Sequence, residues 1–199
     1  MTDPEYLHNQ TVKYLSHEDE HPGWAEGQVR FLNEYLIPQV PNRSAVILDA
    51  GCGDGHGLAH LAAMGYTNLR GVDLAGPKLD RAAAAGCSVQ QADLHDLSCI
   101  TDGSVDVVYS SHVLEHCHDP ARVISEFKRI MRPYGMMVIV VPHPDHGPLD
   151  AHCGSVTLRT RQDDRGAGVM AWFEEQGLRI REAALDTIRE PEIWLVLTF

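Results

Sequence analysis

Along the chain, short apolar runs of strand length alternate with segments whose apolar residues recur at helical spacing. Residues 23–36 carry Trp24, Val29, Phe31, Leu32, Tyr35 and Leu36, a helical stripe closed by Pro38. Residues 45–50 read as a first strand, with the continuous apolar run found where both faces of a sheet are covered. A short helix over 58–64 ends at Gly65, a second strand occupies 69–72, and a helix from Pro77 through 79–85 stops at Gly86. Residues 88–92 form a weak third strand and 105–109 a stronger fourth. Asp119 and Pro120 supply the cap and first turn of a helix. Its Val123, Ile124, Phe127, Ile130 and Met131 keep the period until Arg132, Pro133, Tyr134 and Gly135 break it. The fifth strand is 136–141. An irregular loop follows, then a helix over 169–176 closed by Gly177 and strands near 178–185 and 193–199.

Strand and helix in alternation predict an α/β fold, a Rossmann-like, doubly wound and mainly parallel sheet. No internal repeat, low-complexity tract or linker divides the 199 residues, so one domain is expected. The composition, 44% apolar and 22% charged, is that of an ordinary globular protein. A net charge of -12 disfavours a surface that tracks phosphates, so nucleic acid is not expected as a partner. Cys52, Cys87, Cys99, Cys117 and Cys153 make an odd set without a C-x-x-C pair, which fits a reducing, cytoplasmic setting better than a disulfide framework. The N-terminus is polar and acidic, and residues 136–141 are too few to cross a bilayer; neither a signal peptide nor a membrane span is expected.

The candidate chemistry starts where the first strand ends. Asp49 is followed by Gly51, Gly53, Gly55 and Gly57, glycines placed where a backbone turns sharply or lets another molecule come close. A tight strand-to-helix turn is the plain alternative, but four alternate glycines exceed what it needs. In a doubly wound sheet this loop lies at the ligand crevice. Counting from Gly51, His56 stands where the dinucleotide fingerprint needs its third glycine, and no G-K-[ST] follows for a phosphate loop. An acidic rim repels pyrophosphate and suits an ammonium group. Asp73 ends the second strand, where a carboxylate can accept both hydroxyls of a ribose. Asp93 follows the third, where it can accept from an adenine amino group while Leu94 covers the ring. Taken singly, these acids also read as helix caps or turn residues. Together they describe a nucleoside with a cationic amino-acid tail and no phosphates.

The successive motifs VILDAGCGDG, GVDL, QADL, SSHVLEH and MRPYGMMVIVVP resemble those of class I S-adenosylmethionine-dependent methyltransferases, in the small group whose loop is D-x-G-C-G-x-G. The resemblance covers residues 46–142. It implies S-adenosyl-L-methionine as cofactor, S-adenosyl-L-homocysteine as product, and a seven-stranded sheet with its last strand antiparallel. It places Gly51, Cys52 and Gly53 at the methionine portion and Asp73 at the ribose; Asp49 and Leu74 are assigned to the cofactor site with them. Asp93 and Leu94 fall at the adenine, and Ser110 closes the sulfonium side. The single domain 1–199 is read as a helical cap (1–44), a cofactor-binding core (45–142) and an acceptor side (143–199).

Beyond Pro142 the sequence matches no acceptor class; a small molecule, a sugar or other hydroxyl-bearing metabolite, is the expectation, with the oligomeric state left open. Transfer from a sulfonium requires in-line placement of the nucleophile and, for a hydroxyl or amine, removal of a proton. His112 is the first candidate base, and His143 and His146 after the fifth strand are further catalytic candidates. Hydrogen bonding to a loop carbonyl is the structural alternative for His112. Glu115 and His116 are expected to fix the loop. His143, Asp145, His146, Asp150 and His152 have metal-ligand chemistry, but their spacing matches no metal motif, so a polar loop is expected and no metal is assigned. Cys52 reads as a packing residue. Two alternatives remain: a non-catalytic adenosyl-binding module, and a nicotinamide-dependent oxidoreductase, which His56 disfavours.

Overall fold

A computed structural model describes residues 24–147, 152–188 and 191–199. Seven strands, β1 Val46–Ala50, β2 Asn68–Asp73, β3 Val89–Gln91, β4 Val105–Ser111, β5 Met131–Pro142, β6 Arg179–Asp186 and β7 Glu192–Thr198, form one sheet. Their order is β3-β2-β1-β4-β5-β7-β6. The first five pair in parallel, and β7 runs antiparallel to both β5 and β6, as the resemblance implied. The helices are α1 Trp24–Phe31, α2 His56–Ala63, α3 Gly76–Ala84, α4 Pro120–Ile130, α5 Gly154–Thr160 and α6 Ala167–Glu175. A π-helical turn Leu32–Leu36 and a 3-10 turn Ile37–Gln39 prolong α1, and a further 3-10 turn, Leu114–His116, follows β4.

Strand alternation divides the core between the two faces of the sheet. Ile47, Val107, Tyr109, Val138, Val140 and Trp194 face Phe31, Leu32 and Leu36, while Leu48, Val108 and Ile139 belong to the cluster holding Phe127 of α4 and Phe173 of α6. The α1 helix is also held by Arg30, which pairs with Asp186 and lies 4.5 Å over the Trp194 ring. Asp119 caps α4 as expected, its Oδ1 accepting from the Arg122 N–H at 3.0 Å.

Two segments differ from the sequence reading. Residues 132–135, read as a break, lie inside β5: Met131 pairs with Val105 and Met136 with Val107, so the register shifts between them in a bulge whose Arg132, Pro133 and Tyr134 are exposed. Tyr134 sits there at φ +67° and is 98% exposed, while Arg132 anchors the bulge on Asp106 at 2.7 and 2.9 Å. Residues 154–160, read as loop, form α5. Of its described buried positions Val156, Thr157 and Thr160, two are threonines whose hydroxyls bond back to Cys153 O and Thr157 O.

Among the described residues no helix is long and apolar enough to cross a membrane. All five cysteines are free thiols.

Candidate active site

Because β2 lies on one side of β1 and β4 on the other, the connections leaving β1 and β4 diverge and open a crevice at the carboxyl edge. The glycine loop fills one wall. Gly51, Gly53 and Gly55 all have left-handed φ (+88°, +51° and +82°), open to glycine without the strain a side chain brings. Their surroundings differ. A Cβ on Gly51 would run into the Val113 side chain, whereas one on Gly53 would find only the Lys78 Cδ at 4.0 Å. Gly53 is therefore where the loop backbone faces open space that a ligand can enter.

Asp73 ties this loop to the end of β2. Its Oδ2 accepts from the Gly53 N–H at 2.9 Å and its Oδ1 from the Ala75 N–H at 2.8 Å. A carboxylate has about four acceptor positions, so two oxygens held this way still have lone pairs for hydroxyls. Asp49 lies deeper, 1% exposed, and its Oδ2 has no hydrogen-bond partner among the described residues. Burial, with the charge of Asp73 nearby, pushes its carboxyl up to about 8.

Other residues singled out in the sequence are committed locally. The Ser110 hydroxyl is buried and donates to Ala50 O at 2.9 Å, joining β4 to β1. Cys52 is buried, and burial together with Asp49 and Asp73 pushes its thiol far up, so it packs rather than reacts. Leu74 is half-buried, and its carbonyl accepts from Gln91 Nε2 at 2.8 Å. Asp93 Oδ1 accepts from the His95 backbone N–H at 3.0 Å and lies 2.7 Å from His95 Nδ1, while Leu94 is 5% exposed within the main core.

The histidines separate into different surroundings. His112 follows β4 at φ +55°, a left-handed backbone that costs a side-chain-bearing residue of order 1–3 kcal/mol and persists where its surroundings hold it. Its Nε2 is 2.8 Å from Glu192 Oε2 and its Nδ1 3.5 Å from Glu115 Oε1. Burial alone would lower this imidazole, but the hydrogen bonds and charges of Glu115 and Glu192 outweigh it and raise it to about 9. His143 is buried, with Nε2 accepting from the Gly166 N–H at 2.8 Å, and His146 is exposed. His143 thus serves the entry of α6. His152 Nδ1 lies 2.8 Å from Asp145 Oδ1, and its ring stands edge-on to His116 at 4.7 Å. Asp150 lies outside the described residues. Glu192 was missed in the sequence; an acid heading the apolar run of β7 was its only signal.

A switch-point glycine loop with an acid closing the next strand defines a nucleoside-binding, Rossmann-like domain. Comparison with known proteins narrows this. A family described as "Methyltransferase domain" matches residues 48–139. A probable S-adenosylmethionine-dependent methyltransferase of Mycolicibacterium smegmatis is 33% identical over 134 residues, 65% of this chain and 51% of the relative. The 27-O-demethylrifamycin SV methyltransferase of Amycolatopsis mediterranei is 26% identical over 85% of this chain and 64% of its own length. The crystal structure of an S-adenosylmethionine-dependent methyltransferase from Mesorhizobium loti superposes with a TM-score of 0.63 at 22% identity, covering 84% of this chain and 97% of that one. The chain carries a methyltransferase-domain match over residues 48–139 and is similar to S-adenosylmethionine-dependent methyltransferases. It spans about half the length of the first of these curated relatives.

Proposed function

We propose that the protein moves the methyl group of S-adenosyl-L-methionine to an oxygen of a small hydroxyl-bearing molecule. The observation that carries the reading is the glycine loop: Gly53 faces open space in a left-handed conformation while its N–H is fixed on Asp73. In this assignment Asp49, Gly51, Cys52 and Gly53 surround the methionine portion, Asp73 and Leu74 the ribose, and Asp93 with Leu94 the adenine; Ser110 supports the sulfonium side by holding the Ala50 strand end. Residues 45–142 form the cofactor half of one domain, and 143–199 face the acceptor. An oxygen acceptor is supported by the rifamycin relative, an O-methyltransferase by name that matches 85% of this chain. The histidines and carboxylates beyond β4 also supply groups that can take a hydroxyl proton.

The test is calorimetric binding of S-adenosyl-L-methionine to wild type and Gly53→Val. A branched side chain in the open space beside a left-handed backbone should weaken binding by about tenfold, or 1.4 kcal/mol. Unchanged affinity in a folded Gly53→Val protein would sink the assignment. Transfer of a labelled methyl group to hydroxyl, amine and carboxyl acceptors then separates an O-methyltransferase from the other acceptor classes and from a binding module without chemistry.

Asp49 adds a pH signature. With its carboxyl raised to about 8, it is mainly protonated at neutral pH in the empty site. The cationic amino-acid tail of the cofactor favours the carboxylate and lowers that value, so binding at about pH 7 should release close to one proton. Release should fade as pH rises past about 8, where the empty protein has already lost the proton. Titrations in buffers of different ionisation enthalpy measure it, and Asp49→Asn should abolish it. Binding without proton exchange at neutral pH would remove Asp49 from the cofactor site.

A further inference from the structure

We propose that Glu115, His116 and His152 form a binding site for a divalent transition-metal cation. One ligand atom from each lies within 4.8 Å of the others, although His116 and His152 are 36 positions apart in the chain. Two imidazoles and a carboxylate suit zinc, cobalt, iron or manganese, whereas magnesium and calcium favour all-oxygen sets. Three protein ligands also leave positions open for water or a second molecule, as in catalytic rather than structural metal sites.

Three further observations point to a ligand here. Glu115 is 1% exposed, and its Oε2 has no hydrogen-bond partner among the described residues. A bare buried carboxylate oxygen is costly, and a cation removes that cost. The His112 ring lies 3.5 Å from Oε1 and leaves Oε2 unanswered. Next, His152 Nδ1 faces Asp145 Oδ1 at 2.8 Å, which leaves Nε2 as the ligand atom; a carboxylate behind an imidazole is the arrangement that orients metal-bound histidines. Asp145 is itself buried and fixed by the Gly147 N–H at 2.8 Å, and a Cβ on Gly147 would run into the His152 ring. Finally, the chain holds the ligands together without an ion. The Cys153 N–H donates to Glu115 O at 2.7 Å, so the start of α5 is pinned on the 3-10 turn carrying Glu115 and His116. His116 and His152 are partly exposed, which gives a cation a way in.

None of this depends on the methyl-transfer reading, and the test does not use activity. The metal-free full chain is titrated with Co(II) at about pH 8, where imidazoles bind as neutral ligands, and the cobalt is then displaced with Zn(II). One equivalent should bind with the visible bands of a low-symmetry nitrogen and oxygen site. His152→Ala and Glu115→Gln should each weaken binding by about a hundredfold, and Asp145→Asn by about tenfold to a hundredfold. His60→Ala, a histidine on α2 bonded to Asn33, should change nothing. Where His152→Ala does not fold by circular dichroism, His116→Ala takes its place. Cobalt binding that is absent from wild type, or equally tight in the folded histidine and Glu115 variants, overturns the site.

Discussion

Replacing His112 with alanine should lower the rate of methyl transfer about a hundredfold, close to 2.7 kcal/mol, while the affinity for S-adenosyl-L-methionine stays nearly unchanged. The expectation rests on how the ring is held. Glu192 lies 2.8 Å from Nε2, close enough to fix the ring. Because Glu115 and Glu192 raise the imidazole to about 9, only its minority neutral form takes a proton near pH 7, and the rate should climb as pH rises toward about 9. On the other side the Nδ1 to Glu115 contact is long, 3.5 Å, and an acceptor hydroxyl can replace it. A role confined to folding predicts a different pattern: loss of cofactor binding and of thermal stability together. His112→Gln, which keeps a donor for Glu192, separates the two, because it should preserve stability without restoring turnover. Partial recovery of His112→Ala by added imidazole would identify proton removal as the missing step. Wild-type turnover in folded His112→Ala would exclude His112 from the chemistry.

Asp73→Ala should weaken an adenosyl ligand by about 1 to 3 kcal/mol, roughly fivefold to 150-fold. Asp73 has two functions in this site, and the experiment has to separate them. It anchors the loop through the Gly53 and Ala75 N–H groups, and in the proposed complex it also accepts the ribose hydroxyls. A thermodynamic cycle between Asp73→Ala and a ligand lacking the two ribose hydroxyls isolates the second function. Wild type should prefer S-adenosyl-L-homocysteine to its dideoxy analogue, and Asp73→Ala should scarcely distinguish them. An equal preference in both proteins would leave Asp73 as a loop anchor alone.

Much of the fold was readable because its signals are local. The apolar run of β1, the glycines after it and the Asp119 cap each depend on neighbours within a few residues, so composition and spacing were enough to locate them. The antiparallel last strand came through the family resemblance rather than through periodicity, which carries no information on strand direction. Residues 132–135 show the opposite failure: Pro and Gly were read as the end of an element, yet the pairing of Met131 with Val105 starts β5 before them. In α5 the buried threonines satisfy their own hydroxyls within the turn, a solution that a hydropathy pattern does not display.

The candidate site divides in the same way. Sequence determined that a glycine loop and an acid close successive strands, because the strand order of a doubly wound sheet brings those ends to one edge. It could not determine what each side chain does there. Ser110 turns to Ala50, and a Cβ on Gly51 would meet the Val113 side chain. His143 turns to Gly166, Glu192 reaches His112 across 80 positions, and His152 comes to rest against Glu115 and His116. These outcomes depend on rotamers, on the placement of α5 against the 3-10 turn and on the position of β7 between β5 and β6. Contacts between residues far apart in the chain exist only once the sheet has closed, so the tertiary structure decided them.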